Sequence, residues 1–178
     1  MNMTEEKVIL VDTQDNEIGT MNKLEAHQKG LLHRAFSIFV FNDRNELMLQ
    51  QRARHKYHSG GLWTNTCCSH PRPDEVLQEA VHRRLIEEMG FDCDLSYTFN
   101  FTYQARLDNE LTEYELDHVF IGHYSGQPQI NLEEACDWRF MSLDEIEQQM
   151  KAQPQDYTEW FKIILNQHKN EFLTLSSR

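Results

Sequence analysis

A mixed α/β fold is what this sequence predicts, on three observations. Short runs rich in β-branched and aromatic residues recur in both halves of the chain. Helical apolar patterns interrupt them at irregular intervals. No repeat, low-complexity tract or Pro/Gly/Ser-rich linker divides them. A doubly wound parallel sheet would alternate strand and helix in step, and this chain does not. With 178 residues it reads as a single domain over 1–178, long enough to bury about two-thirds of its unfolded surface and to enclose a dry pocket.

Strands are expected at Val8–Val11, Phe36–Phe41, Leu47–Gln51 and Leu62–Cys67. The second and third flank the turn-rich Asn42-Asp43-Arg44-Asn45, so they should pair as a hairpin. A helix is expected over about Asp74–Met89: Pro73, Asp74 and Glu75 suit a first turn, Leu77, Ala80, Val81 and Leu85 make one apolar face, and Gly90 suits a left-handed cap. Tyr97, Phe99, Phe101 and Tyr103 alternate with polar residues, the pattern of a strand with one buried face, and Leu116–Tyr124 is a further strand candidate. Ser142 and Glu145 form a capping-box pattern ahead of a second helix. Asp156 precedes a third, which contains Trp160, Ile163, Ile164 and Leu165.

Seventeen Lys and Arg against 29 Asp and Glu leave a net charge of −12, which repels phosphate backbones and anionic lipid. Neither nucleic acid nor a membrane is therefore an expected partner. The opening MNMTEEKVILV has no basic region ahead of a long apolar run, and no stretch approaches the ~20 apolar residues of a membrane span, so a cytoplasmic location is expected. Cys67, Cys68, Cys93 and Cys136 include an adjacent pair whose mutual bridge would be strained, and reduced thiols are the default.

Five constellations carry candidate chemistry. In WTNTCCSHP, Trp63 to Pro71, an extended chain would turn Thr66, Cys68 and His70 to one face and Asn65 and Cys67 to the other; both thiols also read as small buried hydrophobes. Glu113 and Glu115, two apart, would share a face of a strand, able to hold a cation or divide acid and base roles, or simply to be solvated. His27 and His33 flank a probable loop and have no zinc-finger spacing; with His70, Glu113 and Glu115 they make a mixed nitrogen and oxygen set suited to a five- or six-coordinate ion. On the first helix, Arg83 and Arg84 stand four residues before Glu87 and Glu88, a spacing that salt bridges alone would explain. The basic run Gln51-Arg52-Ala53-Arg54-His55-Lys56 offers forks and point charges for a small anion, or a solvated loop.

Taken together these segments resemble the type I isopentenyl-diphosphate isomerases, a Nudix-related family, over nearly the whole chain. TMNK (Thr20–Lys23), Ala26-His27, HRAFSIFVF (His33–Phe41), LQQRA (Leu49–Ala53), LWTNTCCSHP (Leu62–Pro71), EYE (Glu113–Glu115) and the late Trp160 fall in that family's order. The resemblance implies a Nudix-type α/β fold, a mixed β-sheet sandwich with flanking helices, whose core covers about 31–165. The Nudix signature is visible but damaged. Glu75, Arg83 and Glu87-Glu88-Met89-Gly90-Phe91 stand in place, while Ser69 replaces a glycine and Arg84 replaces the first core glutamate. In hydrolases of this kind that helix gathers carboxylates around magnesium, so Arg84 argues against hydrolysis.

The same resemblance implies an isomerase that converts isopentenyl diphosphate to dimethylallyl diphosphate by protonation and deprotonation, in isoprenoid precursor synthesis. By position, Cys68 is the expected catalytic thiol and Glu115 the opposing acid/base, with Tyr103 as a hydroxyl donor. His27, His33, His70, Glu113 and Glu115 would hold a protein-bound divalent metal, manganese, zinc or magnesium. Glu88 and the backbone carbonyl of Cys68 would contact a second magnesium that travels with the substrate. Lys23, Arg52, Lys56 and Ser69, assisted by Arg84, would bind the diphosphate, and Trp160 would face the carbocation-like state. A monomer acting on a small-molecule diphosphate is expected. Two other readings stay open: a Nudix pyrophosphohydrolase, which would release phosphate, and a non-catalytic metal-binding or regulatory domain.

Overall fold

The computed structural model describes residues 6–175. Nine strands form one mixed sheet: β1 (Lys7–Val11), β2 (Glu17–Asn22), β3 (His33–Phe41), β4 (Leu47–Arg52), β5 (Trp63–Thr64), β6 (Cys67–Ser69), β7 (Leu95–Arg106), β8 (Thr112–His123) and β9 (Ala135–Met141). Four helices flank it: α1 (Lys23–Lys29), α2 (Leu77–Met89), α3 (Leu143–Ala152) and α4 (Glu159–Leu175). Among the described strands β3 and β8 run parallel and the other strand pairs are antiparallel, with one isolated parallel bridge from Trp63 to Tyr157.

The hairpin of β3 and β4 forms at its tip and then opens. Asn42 folds the turn by accepting from the backbone N–H groups of Arg44 and Glu46, both at 2.9 Å, and the ladder itself is the single step Phe41 to Leu47. Beyond it the segment 63–69 wedges between the strands, β5 pairing with β4 and β6 with β3. A strand expected to run unbroken over Leu62–Cys67 is therefore bent at Asn65-Thr66.

Side chains replace the lost ladder, because buried backbone groups must find partners. Thr66 accepts from Val40 N–H at 2.9 Å and donates to Met48 O at 2.7 Å, while Asn65 Nδ2 donates to the carbonyls of Ile38 and Cys67 at 3.2 and 2.9 Å. Thr66 thus spends its hydroxyl inside the wedge rather than joining the face of Cys68 and His70.

The two sheet faces carry separate cores. On one, Phe39, Phe41, Val119 and Ile121 pack against α3 and α4 through Ile146, Trp160, Phe161, Ile164 and Phe172. On the other, Phe36, Ile38, Val40, Phe120 and Cys67 receive Ala80, Val81, Leu85 and Met89 of α2. Each large apolar side chain so buried stabilises the fold by about 1.5–3 kcal/mol.

Several boundaries differ from the sequence reading. Helix α2 starts at Leu77, not Asp74: Asp74 has φ +64°, a turn conformation, and Glu75 is spent accepting from Arg72 N–H at 2.8 Å and pairing with Arg83. Gly90, with φ +72°, closes the helix as expected. Tyr97 leaves the row of Phe99, Phe101 and Tyr103 because a bulge between Tyr97 and Phe99 reverses its face, leaving it half exposed over Phe120. Strand β8 begins at Thr112, four residues early, and so includes Glu113 and Glu115. Ser142 and Glu145 close the expected capping box on α3.

Candidate active site

Three short devices bring the histidines together. Asn22 caps α1 by accepting from Leu24 and Glu25 N–H at 3.0 and 3.4 Å, and Gly30, at φ +61°, ends the helix after two turns. The reversal leads straight into β3, so His27 faces His33, with ring centroids 5.1 Å apart. Parallel register sets His33 beside Glu115 on β8, and His70, just beyond β6, reaches the same point with Nε2 2.9 Å from Glu115 Oε1. A seven-residue helix is too short to show a periodicity, which is why α1 escaped the sequence reading.

His27, His33, His70 and Glu115 are all buried, and one ligand atom from each lies within 4.8 Å of the others. His33 Nδ1 donates to Leu31 O at 2.8 Å, which leaves the Nε2 lone pair aimed inward; His27 Nδ1 lies 3.0 Å from the Tyr57 hydroxyl. The Nε2 atoms of His27 and His33 are buried without a hydrogen-bond partner. Buried unpartnered nitrogens on His27 and His33 beside a carboxylate, with the outer nitrogens of those two rings fixed by hydrogen bonds, fit a divalent ion.

Glu113 stands one step outside that group. The Tyr103 hydroxyl lies 3.1 Å from Glu113 Oε2 and donates to the nearer Glu115 Oε2 at 2.7 Å. Burial and the charge of Glu115 push the Glu113 carboxyl well up. Burial also works to raise Glu115, but the imidazoles of His33 and His70, 3.4 and 2.9 Å from its Oε1, outweigh it and hold that carboxyl well below its usual range. The two carboxyls, two residues apart on one strand, are thus pushed in opposite directions.

Alternation through β6 separates the cysteines. Cys67 pairs with Ile38 and is buried under α2, whereas Cys68 pairs with Ser37 and is half-buried on the face of Tyr103. Burial pushes the Cys68 thiol far up despite the nearby charge of Arg52. A thiol in that state holds its proton, unlike the electropositive, thiolate-forming surroundings of a nucleophilic cysteine.

Most of the expected anion-binding residues are already engaged. Lys23 pairs with Glu6 at 3.1 Å; burial works to raise the Glu6 carboxyl, but Lys23 outweighs it and holds that carboxyl at about 2. Lys56 pairs with Glu134. Arg84 contacts Glu87 at 2.7 Å, Glu134 at 3.3 Å, and Glu88, while Arg83 takes Glu75 in a bidentate fork at 2.6 and 2.8 Å. Glu88 is buried and also accepts from Gln50 at 2.9 Å. Arg52 lies over the Trp160 ring, 5.2 Å from its centroid, and donates to His58 O at 3.3 Å. Ser69, beside Phe36, is buried at the α2 side of the sheet.

Tyr57, His58, Gln50 and Glu134 are site neighbours that the sequence reading passed over. The first two directly follow the basic run and carry no spacing signal of their own. Gln50 and Glu134 gain meaning only through contacts with residues far along the chain.

A NUDIX domain profile matches residues 31–161. The chain is 54% identical over 162 residues to an isopentenyl-diphosphate Delta-isomerase 2 of Photorhabdus laumondii, covering 91% of this chain and 92% of that protein. It is 52% identical over 157 residues to an isopentenyl-diphosphate Delta-isomerase of Pectobacterium atrosepticum, covering 88% of each. Among solved structures, DR0079 of Deinococcus radiodurans superposes with a TM-score of 0.75 at 13% identity, over 90% of this chain and 98% of that one. A MutT protein of Methanosarcina mazei gives 0.64 at 18%, over 79% and 94%. At such identities the structural likeness speaks for the fold.

Proposed function

The chain belongs to the NUDIX family and, within it, to the isopentenyl-diphosphate Delta-isomerases, and on that premise we propose that it converts isopentenyl diphosphate to dimethylallyl diphosphate by moving protons between Cys68, Glu115 and Tyr103. The observation that carries this assignment of roles is geometric: strand register sets the Cys68 side chain and Glu115 on one sheet face, and the Tyr103 hydroxyl donates to Glu115 Oε2 at 2.7 Å.

An unactivated alkene is a poor base, so its protonation approaches a tertiary carbocation that water would trap; the site must be dry and must hold a proton donor and a proton acceptor close to the substrate. Cys68 and Glu115 serve as that acid and base pair from opposite sides of a flat substrate. Tyr103, hydrogen-bonded to Glu115, relays or steadies the proton. Trp160 already holds the Arg52 guanidinium over its ring, which illustrates the capacity of that ring to face positive charge.

His27, His33, His70 and Glu115, with Glu113 beside them, would hold a divalent ion, manganese, zinc or magnesium, whose charge fixes Glu115 and tunes its acidity. Glu88 and the Cys68 carbonyl would contact a magnesium carried by the substrate, and Lys23, Arg52, Lys56, Ser69 and Arg84 would bind its diphosphate. Arg84, in the place of a hydrolase glutamate, sets a positive charge where hydrolysis needs a metal-binding carboxylate. In this reading the protein is a cytoplasmic monomer, one domain over 1–178 with a Nudix-like core at about 31–165. No helix among the described residues is long and apolar enough to cross a membrane.

The test is to incubate the protein with isopentenyl diphosphate and magnesium and to follow dimethylallyl diphosphate and free phosphate together. Isomer without phosphate is expected; phosphate without isomer sinks the reading.

A further inference from the structure

Two of the cations assigned above to the diphosphate, Lys56 and Arg84, come from different parts of the fold, the loop after β4 and the middle of α2. Like charges held close repel, and nothing in either segment alone fixes their spacing. A third segment does. The turn 129–135 is stitched to the end of α2 by Gln129 N–H to Met89 O and Asn131 N–H to Glu88 O, both 2.9 Å. It is stitched to the β4 loop by Ala53 N–H to Glu134 O, also 2.9 Å.

From that turn the Glu134 carboxylate reaches both cations, Oε2 to Lys56 and Oε1 to Arg84 at 3.3 Å. Each oxygen serves one cation, so neither partner must leave for the other to stay. Burial works to raise the Glu134 carboxyl, but Arg84 and Lys56 outweigh it and keep it ionised. Arg84 Nε remains buried without a partner, so the bridged guanidinium retains an unused donor.

We infer that Glu134 is a positioning residue for diphosphate binding, a carboxylate strut that holds Lys56 and Arg84 as one rigid fork. The inference rests on the assignment of those two cations under Proposed function. Its consequence has an unusual sign. A carboxylate that merely stood near an anion site would repel the diphosphate, and neutralising it would tighten binding. A strut does the opposite, and neutralising it loosens the fork.

The experiment is calorimetric titration of the full, metal-loaded chain with inorganic diphosphate and magnesium, beside steady-state kinetics. Glu134→Gln is expected to weaken diphosphate about fivefold, the scale of one partly exposed ion pair, and to raise KM by the same factor with kcat within about twofold. In a Lys56→Met background the same substitution should lose more than half of its effect, the mark of two residues acting through one contact. A melting curve guards against partial unfolding, which would lower kcat and leave KM alone. Unchanged or tighter diphosphate binding by Glu134→Gln overturns the inference. If Lys56→Met and Arg84→Leu weaken binding while Glu134→Gln does not, only the strut fails. If those two cation variants bind diphosphate as the parent does, the assignment beneath it fails as well.

Discussion

The histidine cluster and the cation cluster are built on opposite principles. At the first, side chains from α1, β3, β8 and the end of β6 are buried and aimed at one point, with the Nε2 atoms of His27 and His33 unpartnered. At the second, Lys23, Lys56 and Arg84 are already held by Glu6, Glu134, Glu87 and Glu88. One is fixed by strand register and cannot yield without unfolding the sheet. The other is held by ion pairs between side chains rather than by the ladder of the sheet. A site that keeps an ion permanently and admits a charged substrate transiently needs one of each.

The comparison breaks most visibly at the histidines. His33→Ala should remove the bound ion, read by metal analysis, and lower turnover by about 10³-fold or more; chelation of the parent should do the same and metal should restore it. Turnover indifferent to chelators would erase the distinction between the clusters.

Between the clusters, Cys68→Ala should cost about 10³-fold in kcat, the scale of a lost proton-transfer group. Cys67→Ala should keep most activity and cost about 1 kcal/mol of stability by opening a small void under α2. The reverse outcome would refute the face assignment.

A smaller effect sharpens the first cluster. Tyr57→Phe removes the hydroxyl on His27 Nδ1 and should weaken ion binding by about 10- to 100-fold while KM for the diphosphate substrate holds steady. A change in KM alone would move Tyr57 to the other cluster.

Smallest is the acid response of the metal-stripped protein. Burial, helped by the charge of His70, lowers His27 to about 3, and burial with Arg52 lowers His58 to about 2. Between these values and the ordinary 6.5, the unfolded chain binds protons that the folded one does not. Stability should be whole above pH 6.5 and fall as pH drops, by about 1.4 kcal/mol per unit for each imidazole. Denaturant midpoints flat between pH 7 and 5 would show that these rings protonate in place.

What the sequence made legible follows physical range. Gly90, the capping box at Ser142 and the apolar face of α2 are local signals, and they stand. Helix α1, strand β2 and strand β9 were missed. The first is too short for a period, and the faces of the other two mix exposed and half-buried positions, which blurs alternation. The start of α2 differs because Asp74 and Glu75 suit a helix N-terminus, yet Asp74 takes a left-handed turn and Glu75 is spent on Arg72 and Arg83. His27, His33, His70, Glu113 and Glu115 stand out in the sequence as a mixed ligand set; the convergence of the three histidines with Glu115 needed the parallel pairing of β3 with β8, which no short window displays.

The wedge that opens the hairpin of β3 and β4 carries a last consequence, for how an error in folding would show itself. A slip of one residue in β6 exchanges the faces of every side chain on it, and the cysteine doublet would then present Cys67 where Cys68 now stands. A misthreaded chain would still offer a thiol and pass a test of thiol reactivity. It could not still offer His70, since Ser69 would take that place. An ion held at the histidines, not the sulfur, would therefore be the fold's own proofreader, and metal content the assay that separates correctly threaded molecules from near misses.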